Sequence, residues 1–285
     1  MTQILSIQSS VSYGYVGNSA ACFALQRSGH ETLPVYTVCF SNHTGYETTR
    51  GPIIAAEDIR QILLGIDERS ALDTTDALLA GYLGSAEIGQ VICETVDILR
   101  QRNPKAIFCC DPVMGDSHEG FYTPIEVREQ IRDKAIPRAT ITTPNLFELE
   151  YLSHGRRLEK LENVLDAMAQ LRDRGPKIVL TTSVVTPEMD PSTICMIAQD
   201  DQGSWIVTTP KIHRTFTGSG DLTSATFLSA HLRGMDLQQA CSHTASVLYS
   251  LLRATDEMGR DELALIQAQD QLINPTYRFQ AEKIS

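Results

Sequence analysis

The chain is short of positive charge, of paired cysteines and of long apolar runs, and each shortage narrows what it does. Across 285 residues, 24 Lys and Arg stand against 35 Asp and Glu, a formal charge of −11. A nucleic-acid binder needs a basic surface to displace counterions from phosphate, so this balance argues against nucleic acid as a partner. It leaves room for a nucleotide, because a small phosphate site is built from backbone N–H groups and a few side chains. Seven cysteines, at 22, 39, 93, 109, 110, 195 and 241, form no CxxC pair. Neither zinc spacing nor a disulfide framework is expected. No apolar run approaches the ~18 residues a membrane helix requires, so no membrane partner is expected. The opening MTQILSIQSS has neither a basic region nor a long apolar core, so no signal peptide is expected either. GxGxxG and GxxxxGK[ST] are absent, which excludes the dinucleotide fingerprint and the Walker A loop. A hydrophobic content of 42% still supports a sizeable core, more than a disordered chain carries. The expectation is a soluble, cytoplasmic protein with a single domain over 1–285, of which 275–285 form a loosely held tail.

What is present is an alternation of short β-branched runs and longer amphipathic ones. Strands are predicted at Ile4–Ile7, Val35–Phe40, Ala77–Tyr82, Ala106–Cys110, Thr140–Thr143 and Ile178–Thr182. Continuously apolar strands are buried on both faces, and strand–helix alternation implies an α/β, doubly wound, mainly parallel sheet with helices on both faces. Ile88, Val91, Ile92, Val96 and Leu99 share one face of a predicted helix over 86–102. Leu161, Val164, Leu165, Met168 and Leu171 do so over 160–174, and Gly175-Pro176 ends that helix. Two β-rich runs within 192–208, separated by Asp200-Asp201-Gln202-Gly203, read as a β-hairpin at one sheet edge. Helices Leu222–Arg233 and Leu237–Arg253 close the chain. Ligands of open α/β sheets bind beyond the carboxyl ends of the strands, so polar clusters placed there are the candidates.

Four such clusters stand out. Thr217-Gly218-Ser219-Gly220-Asp221 opens an amphipathic helix. Its glycines let backbone N–H groups turn toward one point, and the helix N-terminus adds unpaired donors, a cradle for a phosphoryl group. Asp221 at its edge is placed to accept a proton from an attacking hydroxyl. A capped helix after a Gly turn is the plainer reading of the same residues. Cys110-Asp111-Pro112-Val113-Met114-Gly115-Asp116 ends a strand with two acids that suit magnesium and polyphosphate through water, or else an Asx turn before proline. Thr142-Thr143-Pro144-Asn145-Leu146-Phe147-Glu148 puts an amide and a carboxylate three residues apart near a helix start, for metal-bound phosphate or for a capping box. Gln8–Ser19, rich in Ser, Gly and Tyr, suits a pocket wall or a flexible β–α loop. His118, His213, His231 and His243 show no ligand spacing, and Cys109 and Cys110 read as buried strand residues.

In this order the clusters resemble the ribokinase-like superfamily and, within it, the pyridoxal kinases. TPN-x-x-E at 143–148 and G-x-G-D at 218–221 carry the wider likeness. QS-x-V-x-YG-x-x-GNSAA at 8–21, FSNHTGY at 40–46, GYLGSAE at 81–87 and DPVMGD at 111–116 carry the narrower one. The resemblance implies ATP-dependent phosphorylation of the hydroxymethyl group of pyridoxal, and of pyridoxine or pyridoxamine, with Mg2+ and a monovalent cation such as K+, in a homodimer. It implies that Ser9, Val16, Phe40, His43, Thr44, Gly45 and Tyr82 surround the pyridine ring. Asp221 would be the general base, and the N–H groups of Gly218, Ser219 and Gly220 would stabilise the transferring phosphoryl. Asp111, Asp116, Tyr122, Thr143, Asn145, Glu148 and Thr182 would line the ATP side, with Asp111 and Glu148 holding metal mainly through water. Thr209, Pro210, Lys211 and Ile212 would lie by the adenine, and Ser117–Pro124 would be a flexible lid. The chain departs from many relatives at Ser219, often Thr, at Thr182, Lys in one bacterial subgroup, and at Phe121, where some relatives have a reactive Cys. A hydroxymethylpyrimidine or sugar kinase of the same fold is the alternative; the former typically has Cys where Asp221 stands. A silent carrier of the vitamin is the alternative outside catalysis.

Overall fold

A computed structural model describes residues 2–284. In chain order the strands are β1 (Gln3–Val11), β2 (Glu31–Phe40), β3 (Thr75–Ala80), β4 (Ile107–Cys110), β5 (Gly115–Asp116), β6 (Gly120–Phe121), β7 (Ile141–Thr142), β8 (Ile178–Val184), β9 (Thr193–Asp200), β10 (Gly203–Pro210) and β11 (Glu282–Lys283). The α-helices are α1 (Asn18–Arg27), α2 (Ala56–Asp67), α3 (Ala86–Arg102), α4 (Ile125–Gln130), α5 (Leu146–Leu152), α6 (Leu161–Arg172), α7 (Ser219–Leu232) and α8 (Leu237–Glu257).

Nine strands form one sheet in the order β11-β10-β9-β8-β7-β4-β3-β1-β2. From β2 to β8 every pairing is parallel. From β8 outward through β9, β10 and β11 every pairing is antiparallel. The alternation of side chains along each strand feeds two cores. In β3, Leu78 and Ala80 enter a core with α2 to α6, whereas Ala77 and Leu79 enter one with α1, α7 and α8. Phe108 and Cys109 of β4 divide in the same way. The runs 77–80 and 107–110 are apolar throughout because neither face meets water.

The expected strands and long helices are present, with two differences. The run taken to follow the first strand belongs partly to it: β1 continues through Gln8, Ser9 and Ser10 to Val11, and Ser9 sits at a register shift in its pairing with β2. The segment expected to be a loose tail is fastened. Ser242, Ser246 and Ser250 are four apart on α8, and their hydroxyls accept the N–H groups of Ala281, Phe279 and Tyr277. One helical row therefore meets every second residue of an extended chain, a match of two periods. β11 then pairs with β10, outside the hairpin. Ser285 lies outside the described residues.

Prolines fix where the sheet opens. Pro112 and Pro144 each stand two residues beyond the last residue of β4 and β7; neither has an N–H for a ladder, so each strand stops short. The chains leave the sheet there, and the loops after β1, β3, β4 and β7 surround one crevice.

Candidate active site

A cleft of about 870 Å³ runs along that rim. Every residue expected at the substrate, phosphate and nucleotide sites lies on its wall, from Ser9 and Tyr82 at one end to Thr209–Ile212 at the other.

The floor is the start of α7. Gly218 is its N-cap at φ 87°, a left-handed conformation, and a Cβ there would run into the carbonyl oxygen of Tyr15. Gly220 is different, because a Cβ there would meet no protein atom within 4 Å. Its glycine is not required by the fold, and leaves the helix N-terminus open to close approach. The three N–H groups of the expected cradle are not equivalent. Ser219 N–H is turned to the Phe216 carbonyl at 3.3 Å. Those of Gly218 and Gly220 find no acceptor among the described residues, as first-turn donors do.

Asp221 stands in the same turn, facing the cleft. Burial pushes its carboxyl up to about 6, while the Gly17 backbone N–H, directed at it, pulls the other way. Asp111 is buried at the end of β4. Burial first, and the charge of Asp221 second, push it up to about 7; Ser224 and Thr143 hydroxyls oppose this. Asp111 Oδ1 accepts from Thr143 Oγ1 at 3.1 Å, whereas Oδ2 is buried with no partner. An orphaned carboxylate oxygen of this kind calls for a cation or an ordered water.

Glu148 makes a capping box and still faces the cleft. Its Oε2 accepts from Asn145 N–H at 2.9 Å, and Asn145 Oδ1 accepts from Glu148 N–H at 2.9 Å, a capping box. Its Oε1 takes Met114 N–H at 2.9 Å and Gly115 N–H at 3.5 Å, so the same carboxylate holds the DPVMGD loop. Burial and the nearby Asp111 raise its pKa well above the usual carboxylate range. Asn145 spends its amide on Gly115 O at 2.9 Å. Both residues line the cleft while their strongest bonds are internal. Among the described residues no group of three or more His, Cys, Asp and Glu is arranged to cage a metal. With Asp111 Oδ2 free, the donor set fits a hard divalent ion that keeps water and phosphate as its other ligands.

The segment expected to be a lid, Ser117–Pro124, takes in the tip and second strand of a small β5–β6 hairpin, with Asp116 Oδ1 accepting from His118 and Glu119 N–H at that tip. Phe121 anchors it, packed at a tilt against Phe147 at 4.6 Å and under the Arg128 guanidinium at 4.1 Å. Thr182 N–H is tied to the Pro144 carbonyl at 3.0 Å, joining β8 to the α5 start. At the opposite end, Phe40 and Val16 form apolar wall beside Tyr82, whose backbone carbonyl is held by Thr37 Oγ1 at 2.7 Å.

His43 lies on the cleft wall, as expected. Its Nε2 faces Glu262 Oε1 at 3.1 Å and its Nδ1 accepts Gly45 N–H at 3.2 Å, so both ring nitrogens are engaged inside the protein. Polar contact with a ligand is left to Thr44 and to the loop backbone. Glu262 escaped the sequence reading because it stands alone, far from either motif it touches. Tyr249, Leu248 and Leu252 of α8 also line the cleft and carried no signal beyond a helical apolar row.

The chain resembles known proteins along its whole length. The family model of phosphomethylpyrimidine kinases matches residues 69–265. The pyridoxal kinase PdxY of Leifsonia xyli subsp. xyli is 45% identical over 282 residues, covering 99% of each chain. That of Corynebacterium diphtheriae is 44% identical over 282 residues, again 99% of each. Pyridoxal kinase from Leishmania donovani in complex with ADP and pyridoxine superposes with a TM-score of 0.92 at 29% identity, covering 99% of both chains. A likeness sustained from one end to the other, in sequence and in fold, makes the chain a member of the pyridoxal kinase family, within the ribokinase-like fold.

Proposed function

We propose that the chain transfers the γ-phosphoryl group of ATP to the hydroxymethyl group of pyridoxal, giving pyridoxal 5'-phosphate and ADP in vitamin B6 salvage. The observation that carries this is the position of Asp221: a raised carboxylate in the first turn of α7, beside two unpaired N–H groups, in a cleft whose opposite end is apolar and aromatic.

Ser9, Tyr82 and Thr44 hold the flat ring, with Val16 and Phe40 as apolar wall; offset stacking on Tyr82 is worth ~0.5–1.5 kcal/mol beyond burial. Asp221 takes the hydroxyl proton as the oxygen forms its bond to the γ-phosphorus, and the bond from that phosphorus to the bridging oxygen of ADP breaks. The Gly218 and Gly220 N–H groups face the charge gathered on the transferring group, which is where a preorganised dipole lowers a barrier most. Asp111 and Glu148 would hold Mg2+ through water, and the ion would neutralise the phosphate oxygens. Tyr122 of the 117–124 lid closes over the nucleotide and excludes water, and Asp116 beside it lines the ATP–metal side. Asn145, Thr143 and Thr182 shape the phosphate wall, and Thr209–Ile212 the adenine end.

The second reading, a hydroxymethylpyrimidine kinase, draws on the family model that matches 69–265. One assay separates the two: ATP and Mg2+ with pyridoxal, pyridoxine, pyridoxamine and hydroxymethylpyrimidine, with and without K+. Pyridoxal is expected to be turned over with the highest kcat/KM. Preference for the pyrimidine would overturn the proposal, and binding of pyridoxal without ATP consumption would favour a carrier. A homodimer, which the resemblance implies, is read by light scattering of the same preparation.

A further inference from the structure

Glu262 gathers donors from two loops that no backbone ladder orders completely. Its Oε1 accepts from Tyr46 Oη at 2.7 Å and from His43 Nε2 at 3.1 Å, and its Oε2 accepts from Tyr15 N–H at 3.2 Å. The side chain is 7% exposed. It is rigidly based, because Leu263 and Leu265 are buried in the α7–α8 core and Ala264 N–H donates to Thr255 Oγ1 at 3.0 Å. Gly14 lies directly against it, so closely that a Cβ would strike the carboxylate. The rings of His43 and Tyr46, 4.6 Å apart and tilted by 40°, are thus gripped from one side.

The ring of His43 is fixed at both nitrogens. Since Gly45 N–H can only donate, Nδ1 must accept, and the ring proton lies on Nε2, toward Glu262. This bond orients the imidazole, the imidazole holds Gly45, and Thr44 between them is exposed to the cleft with no side-chain hydrogen bond among the described residues. We propose that Glu262 is a positioning residue for recognition of the pyridine substrate, acting through His43 to present Thr44 and Gly45 to it. The proposal rests on the reading above that the 40–46 loop meets that substrate. It assigns Glu262 no contact with either reactant.

The test compares Glu262→Gln, Tyr46→Phe, His43→Ala, Thr44→Ala and the Glu262→Gln/His43→Ala pair. Gln keeps the size, but presents either a donor to Tyr15 N–H or one to His43. The expected result for Glu262→Gln is a KM for pyridoxal raised about five- to thirty-fold, the worth of one unsatisfied buried group, with KM for ATP within about twofold. The double variant is expected to be no worse than the poorer single one, because both break the same chain of contacts. In 15N spectra of the imidazole, wild-type His43 is expected as the Nε2–H tautomer, and Glu262→Gln as a mixture. Should Thr44→Ala weaken pyridoxal while Glu262→Gln leaves its KM and the tautomer unchanged, the positioning role fails and the loop assignment stands. Should neither Thr44→Ala nor His43→Ala alter pyridoxal binding, the loop assignment itself fails. Equal losses for pyridoxal and ATP in Glu262→Gln would mark a merely structural residue and overturn the proposal. If Glu262→Gln does not fold, Tyr46→Phe, which removes one donor only, carries the same KM comparison in smaller measure.

Discussion

A base must be ionised to accept a proton, and burial holds Asp221 up to about 6, so turnover should be sensitive to mild acid. Wild-type kcat/KM for pyridoxal is expected to fall as pH drops below about 6, and Asp221→Asn to cut kcat by roughly 10²–10⁴ with KM for ATP little changed. Stopped assays across pH 5–8 check both; a flat acid limb in the wild type would remove the assignment. Asp111 tells a different story through stability. Its folded pKa, about 7, lies above the ordinary 3.8, so the folded state holds its proton more tightly than the unfolded chain. The stabilisation that follows is complete below the unfolded value and is lost as pH rises through the folded one. Each pH unit in between costs roughly 1.4 kcal/mol at most. Asp111→Asn keeps the acceptor for Thr143 and removes the charge. Its ligand-free Tm is expected to exceed that of the wild type at pH 8 by several degrees and to match it near pH 4, while turnover drops. Calorimetry at the two pH values decides; a lower Tm at pH 8 would mean that the buried charge is compensated.

At the scale of elements, the glycines of the α7 start have separate duties. Gly218→Ala forces a Cβ against Tyr15 and strains a positive φ, so both stability and activity should fall, the former by about 1–3 kcal/mol. Gly220→Ala meets open space inside a helix, where Ala is favoured by up to about 1 kcal/mol. Its Tm is expected to hold or rise while kcat drops, since the new methyl group occupies the approach of the phosphoryl. Parallel losses of both in Gly220→Ala would show that the glycine serves the fold. These duties also mark how far the sequence is legible. The TGSGD motif announced a helix start and a cradle, because glycine spacing and a following amphipathic row are local signals. It could not say that Ser219 N–H is turned to Phe216, which depends on the path of 210–217. Strands were legible where both faces are buried, as in β3 and β4, since burial leaves a continuous apolar run. Glu148 was readable as capping box or phosphate-site acid, and its hold on Met114 and Gly115 was not, because that contact joins residues 33 and 34 apart. Glu262 and the α8 wall were invisible for the same reason: a single acid and an apolar row have no local mark of what they face.

For the molecule as a whole, one sheet separates two cores, and no helix among the described residues is long and apolar enough to cross a membrane. Because β1, β3, β4, β8 and β9 each serve both cores, neither can open without exposing the other, so a single cooperative unfolding transition is expected. The C-terminal segment belongs to that unit, although its polar composition reads as a tail. Tyr277 and Phe279 each stack edge-on against Tyr249 at 5.1 Å, and Tyr249 in turn lines the cleft. Lys283 lies over the Trp205 ring at 5.4 Å, and Ile284 N–H donates to Ser204 O at 2.9 Å, covering the outer edge of β10. Deleting 276–285 removes both stacks, frees three serine hydroxyls and bares a strand edge. Two aromatic pairs alone are worth about 1–3 kcal/mol beyond burial. The truncated chain is expected to unfold several degrees lower, still in one transition, and to bind the ligands of the cleft more weakly than the intact chain because Tyr249 loses its support. Scanning calorimetry and KM measurements on the two chains test this; an unchanged Tm would mean that the serine row and the stacks hold the tail without the tail holding the fold.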